Sequence, residues 1–147
     1  MSQKYKFRLQ KLLELREEKE EESKRLFSES QNNKIKTQND LKELKDKYES
    51  YRGIKPGEDI IYQKVKRNYL YAIEAGIKDK EKELVLRVRE LEKRRNDLKE
   101  KQIDRKTVAT LKDKQYNSYV KEQDRLEVIE IDEIALYAFM KNLKGGE

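Results

Sequence analysis

The sequence predicts an all-α fold in which two long helices form an antiparallel coiled-coil hairpin, with the second helix the longer. Three observations predict it. The 147 residues are 45% charged and only 35% hydrophobic, too few apolar groups for a compact core. Apolar residues recur at helical spacing over long stretches. The segment 52–57 holds the chain's one proline and two of its five glycines, and it is the one strong helix breaker.

The first helix is expected over about 5–52, because no glycine or proline lies between Tyr5 and Tyr51. Its heptad stripe is apolar at both ends and polar in the middle, which either weakens the centre or leaves it for a partner to cover. The polar members are Arg16, Glu20, Ser23, Ser30 and Lys34.

The turn is expected at 53–58. Gly53 suits the left-handed position that ends a helix, and Ile54 would follow as the apolar residue of a Schellman cap. Pro56 prevents continuation, while Glu58 and Asp59 place negative charge where the next helix begins. We interpret the turn first as a connector, with direct partner contact as the alternative.

The second helix is expected over about 60–143, so that residues 1–147 form a single hairpin. Its seven-residue series is Leu70, Ile77, Leu84, Leu91 and Leu98. Gly76 falls inside the series, where it either allows a close approach of the helices or is simply tolerated within the helix. The second interpretation is the simpler one. Gly145 and Gly146 would end the helix.

Unequal helix lengths predict an unpaired end. At 1.5 Å per residue the helices would span ~70 Å and ~125 Å. Pairing outward from the turn places Tyr51 near Ile61 and Leu9 near Gln102, which leaves 103–143 without a partner helix. Such an amphipathic stretch would fold back, self-associate or insert into another protein.

Residue types that catalysis and metal binding commonly use are missing. The chain has no cysteine, histidine or tryptophan, and no glycine-rich phosphate loop. Carboxylates abound, but a two-helix rod offers no concave, water-poor site to shift their pKa values. We therefore expect neither an enzyme, nor a cofactor, nor a metal site. Without an apolar leader or a bilayer-length apolar run, we expect a soluble intracellular protein.

Charge and tyrosine distribution suggest contact surfaces. The net charge is +6. The densest basic run lies at 87–101, and residues 122–133 are acidic. The basic run indicates solvated coiled-coil surface with i,i+4 ion pairs, or else a face for an acidic protein or nucleic acid. Five of the nine tyrosines flank the turn and would form a docking tip or merely close the coiled coil. They are Tyr48, Tyr51, Tyr62, Tyr69 and Tyr71.

Three segments resemble the FliJ family of the bacterial flagellar type III export apparatus. They are FRLQKLLELREE at 7–18, the stretch 41–52 from LKEL to YR, and IEIDEIA at 129–135. The resemblance implies a non-enzymatic stalk in the export ATPase hexamer. It also implies an adaptor to the cytoplasmic domain of the export gate protein FlhA and to export chaperones. The implied location is cytoplasmic, at the inner-membrane face of the flagellar base.

The resemblance also implies which residues bind partners. A gate patch near the hairpin tip would comprise Leu44, Tyr51, Tyr69, Ile73 and Gly76. The free ends would meet the ATPase through Phe7, Leu9, Leu126, Ile129, Leu136 and Met140. The same physical features would suit the stalk protein of a virulence-type secretion system, a basic coiled coil that binds nucleic acid, or a self-assembling structural coiled coil.

Overall fold

Two helices make up the computed structural model, which describes residues 4–145. Helix α1 spans Gln10–Tyr51 and helix α2 spans Ile60–Gly145. No strand occurs between residues 4 and 145. The predicted fold class is confirmed, including the greater length of the second helix. Gly146, which was expected to help end that helix, lies outside the described residues.

The chain divides into two compact units, each of which pairs a piece of α1 with a piece of α2. One unit runs from Lys19 to Gln102 and contains the turn. The other combines the N-terminal residues up to Glu18 with the residues from Ile103 onward.

In the unit 19–102 the helices run antiparallel. Near the turn the Tyr51 and Tyr69 rings meet edge to face with their centroids 5.4 Å apart. Farther along, the guanidinium of Arg95 lies 5.9 Å from the centroid of the Phe27 ring. Tyr51 therefore meets Tyr69 instead of the neighbourhood of Ile61, a register difference of about two helical turns. The register expected from the sequence is wrong because the first turns of α2 lie beside the loop, where Lys66 donates a hydrogen bond to the Gly53 carbonyl.

In the other unit, residues 4–9 precede the helix as a non-helical strap, although the sequence placed the helix start at about residue 5. The strap folds onto α2, where Phe7 is buried in a cluster with Leu13 and Val108. The Tyr5 ring lies 5.3 Å from the rings of both Tyr116 and Tyr119, measured between centroids.

Two polar contacts fix the register in this unit. The guanidinium of Arg16 donates a hydrogen bond of 2.7 Å to the carbonyl of Asp104. The ammonium of Lys112 donates one of 2.8 Å to the Gln10 side-chain oxygen. The expectation that everything from residue 103 onward is unpaired is therefore wrong. Exposure becomes nearly continuous only from residue 121, and we call residues 121–145 the distal segment.

Candidate interaction surfaces

The five predicted gate-patch residues lie together on the paired helices of the unit 19–102. Gly76 faces Leu44, the Tyr51 and Tyr69 rings touch, and Ile73 is buried in the interface. The tyrosines are 41% and 42% exposed, so a partner could reach them. Ile73, by contrast, serves the packing of the helices.

Gly76 is a tolerated glycine and not a site of unusually close helix approach. A Cβ built at this position would lie 3.6 Å from Leu44 Cδ1, an ordinary van der Waals distance. An alanine side chain therefore fits without moving its neighbours, which supports the simpler of the two sequence interpretations.

The turn has the left-handed conformation that was predicted at Gly53, and Gly57 adopts it as well. Gly53 has φ +83° and Gly57 has φ +86°, both in the left-handed region that favours glycine. Gly53 thus follows the end of α1 in the expected conformation. Ile54 is 72% exposed, however, and so does not make the apolar contact of a Schellman cap.

A buried lysine holds the turn together. The Lys66 ammonium donates hydrogen bonds to the Gly53 carbonyl at 2.7 Å and to Glu58 Oε1 at 3.0 Å. The hydrogen bond from Lys66 lowers the pKa of the Glu58 carboxyl. We call Gly53, Glu58 and Lys66 the tip clasp. Sequence reasoning missed it, although Lys66 stands one heptad before Ile73 and so on the buried stripe.

Most of the polar stripe of α1 is buried inside the unit 19–102; Lys34 is half-buried there, and the half-buried Arg16 belongs to the other unit. Glu20, Ser23, Ser30 and Thr37 are all buried. The Thr37 hydroxyl donates to the carbonyl of Asn33 at 3.0 Å, whereas Ser30 Oγ has no hydrogen-bond partner among the described residues. Of the two sequence interpretations, the structure supports a weakened interface, since α2 already covers the stripe.

The basic run at 87–101 is partly neutralised by neighbours on the same helix. Arg87 pairs with Glu83 at 3.7 Å and with Glu90 at 3.4 Å, and Arg95 pairs with Glu92 at 3.0 Å. These i,i+3 and i,i+4 pairs are typical of solvated helix surface and contribute little to stability individually.

The distal segment exposes apolar side chains on every side. Residues 134–140 read IALYAFM, and consecutive positions of a helix point in all directions around its axis. The predicted ATPase contacts of this segment, Leu126, Ile129, Leu136 and Met140, are all exposed. Of the two N-terminal contacts, Leu9 is 37% exposed but Phe7 is only 8% exposed. Phe7 therefore packs inside its unit instead of presenting a free surface.

Among residues 4–145, no helix is long and apolar enough to cross a membrane. In the same residues no group of three or more metal-ligating side chains is close enough together to hold an ion.

The chain was compared with curated proteins, with solved structures and with protein-family models. No curated protein and no solved structure matches the chain. A protein-family model described as flagellar FliJ protein matches residues 5–144, nearly the whole length.

Proposed function

Because the chain belongs to the FliJ family, it is a component of the flagellar export apparatus, and we propose that it acts there as the stalk of the export ATPase hexamer. It also serves as an adaptor to the export gate and the export chaperones. We place it in the cytoplasm, associated peripherally with the membrane at the flagellar base.

The distal segment carries the stalk proposal. A partner helix or a groove covers one face of a helix, but the apolar residues at 134–140 occupy all faces. A socket that surrounds the segment would remove them all from water. Fully burying one large apolar side chain contributes about 1.5–3 kcal/mol. Burial of Ile134, Leu136, Phe139 and Met140 would therefore support firm binding even after the losses of association.

Acidic residues add a second feature to this fit. Glu127, Glu130, Asp132 and Glu133 are exposed just before the apolar residues along α2. A socket with an apolar interior and a basic entrance complements this order of residues. The central opening of a hexameric ring can provide both, since six copies repeat each side chain around one axis.

The stalk proposal is tested by binding to the cognate export ATPase. A chain truncated after Val120 loses the distal segment but keeps Phe7, Leu13 and Val108 together. We expect it to lose most of its affinity for the ATPase hexamer in pull-down and in surface plasmon resonance. The double variant I134S/F139S should behave similarly. Leu86→Ser, an exposed apolar residue of the other unit, is the matched control and should bind normally. Undiminished binding by the truncated chain would rule the proposal out.

The adaptor role rests on the two exposed tyrosines of the gate patch. Tyrosine provides a large apolar contact area together with a hydroxyl group, and it is enriched at binding hot spots. Calorimetric titration with the cytoplasmic domain of FlhA should show at least tenfold weaker binding for Y51S/Y69S, a loss of about 1.4 kcal/mol or more. Tyr71→Ser is the matched control because Tyr71 is exposed outside the patch. Equal losses of affinity in Y51S/Y69S and in Tyr71→Ser would contradict a specific role of the patch.

A further inference from the structure

The turn region buries charge and exposes apolar side chains. Lys66 is 7% exposed, whereas Ile54 and Ile60 are 72% and 69% exposed. Within the tip clasp the lysine has charged and polar partners, which makes its burial tolerable. The isoleucines have no such explanation within the unit 19–102. Exposed apolar side chains grouped in this way mark contact surfaces.

A cavity of about 350 Å³ lies between the loop and the first turns of α2. Its apolar lining comes from Ile54, Ile60 and Leu70, and Lys64 and Arg67 lie beside them. Neither Lys64 nor Arg67 forms an ion pair or a side-chain hydrogen bond within residues 4–145. The cavity therefore combines an apolar recess with two unneutralised cations.

Glu58 also lines the cavity, but its negative charge is already compensated. Its Oε1 accepts a hydrogen bond from Lys66. The Lys66 ammonium and, to a smaller extent, the Lys55 backbone N–H lower the pKa of this carboxyl. Lys64 and Arg67 therefore remain as the charges available to a partner.

We propose that this cavity is a docking site for an acidic segment of a partner protein. The segment places one apolar side chain between Ile54, Ile60 and Leu70, and its carboxylates pair with Lys64 and Arg67. The opposite charge of segment and rim selects the partner and orients it. None of the gate-patch residues lines the cavity, so the site is separate from that patch and from the distal segment.

A protein segment fits better than an anionic membrane surface. A layer of lipid headgroups would leave the apolar recess unfilled. A peptide fills the recess with one side chain, and its carboxylates can pair with Lys64 and Arg67 at the same time. Membrane binding is nevertheless a distinct outcome of the test below.

The test uses the full chain and a fluorescein-labelled peptide of alternating leucine and glutamate, followed by fluorescence anisotropy. We expect saturable binding that weakens with salt, and none with the corresponding leucine and lysine peptide. Lys64→Glu and Arg67→Glu should each weaken binding by about tenfold or more. Lys55→Glu makes the same charge change outside the cavity lining and should have a much smaller effect.

A second pair of variants tests the apolar recess. Ile60→Ser should weaken peptide binding, whereas Ile61→Ser should not, because Ile61 is equally exposed but does not line the cavity. Failure of the acidic peptide to bind would overturn the proposal, as would equal losses in Lys55→Glu and Arg67→Glu. Co-flotation with phosphatidylglycerol vesicles in the absence of peptide binding would assign the surface to lipid instead. None of these results depends on binding to the ATPase or the gate.

Discussion

The substitution Phe7→Ala tests how the N-terminal strap is held. Removing a buried phenylalanine side chain typically costs 3–5 kcal/mol. Phe7 shares its cluster with just two other buried residues, Leu13 and Val108, and the site lies at the end of the helix pair. Neighbouring side chains can partly collapse into the gap, so we expect a loss of about 3 kcal/mol. The ring contacts of Tyr5 with Tyr116 and Tyr119 should be lost together with the Phe7 packing, because Tyr5 packs against the same cluster.

Hydrogen exchange followed by mass spectrometry measures this loss where it occurs. A local loss of this size should speed the exchange of amides in residues 10–16 and 104–119 by about a hundredfold. Amides of the unit 19–102 should change little. Leu9→Ala is the control: this neighbouring leucine is 37% exposed, and its loss should cost less than about 1 kcal/mol. If Phe7→Ala and Leu9→Ala exchange alike, the assignment of Phe7 to the packing of this unit is wrong.

Three further predictions concern the unit 19–102. Lys66 lowers the pKa of Glu58, so this ion pair contributes stability above the ordinary carboxyl pKa and loses it as the pH falls through the lowered pKa. Relative to the intrinsic rate, amides of residues 53–66 in the wild type should therefore exchange faster once the pH falls through the lowered pKa of Glu58. In Glu58→Gln the exchange should be fast at neutral pH as well and should show no such pH dependence. Gly76→Ala should raise the free energy of unfolding by up to about 1 kcal/mol, measured by urea denaturation, because the new methyl group fits and alanine favours helix. Gly53→Ala should lower the free energy of unfolding by about 1 kcal/mol, because Gly53 has a positive φ. A change of the same sign in both variants would contradict these assignments. Ser30→Ala should leave the melting temperature unchanged or raise it, because Ser30 Oγ is buried without a hydrogen-bond partner among residues 4–145. A clear decrease would show that the hydroxyl is satisfied.

Local sequence patterns predicted the features that depend on neighbouring residues. The uninterrupted stretch before Tyr51 predicted a long helix, and Gly53 predicted the left-handed residue after it. Both depend on backbone preferences that act over a few residues. The family resemblance in the three quoted segments agreed with the match over residues 5–144.

The pairing of the helices could not be read from the same patterns. A heptad stripe repeats every seven residues, so several registers place apolar residues opposite one another almost equally well. The pairing of Tyr51 with Tyr69 depends on how far α2 extends along the loop before it meets α1. Within that stretch, Lys66 of the tip clasp donates a hydrogen bond to the Gly53 carbonyl, a contact between the loop and α2 that no heptad pattern contains.

The sequence by itself determined the two helices, the position of the break between them and the apolar character of the distal segment. Only the tertiary structure decided that Phe7 is buried while Leu9 stays partly exposed, and that Lys66 lies inside while Ile54 and Ile60 lie outside. The physical reason is that hydrophobicity is a property of a residue, whereas burial depends on which surfaces meet across the two helices. A charged side chain can be buried where hydrogen-bond partners are available to it, and an apolar side chain stays exposed to water where no other surface covers it.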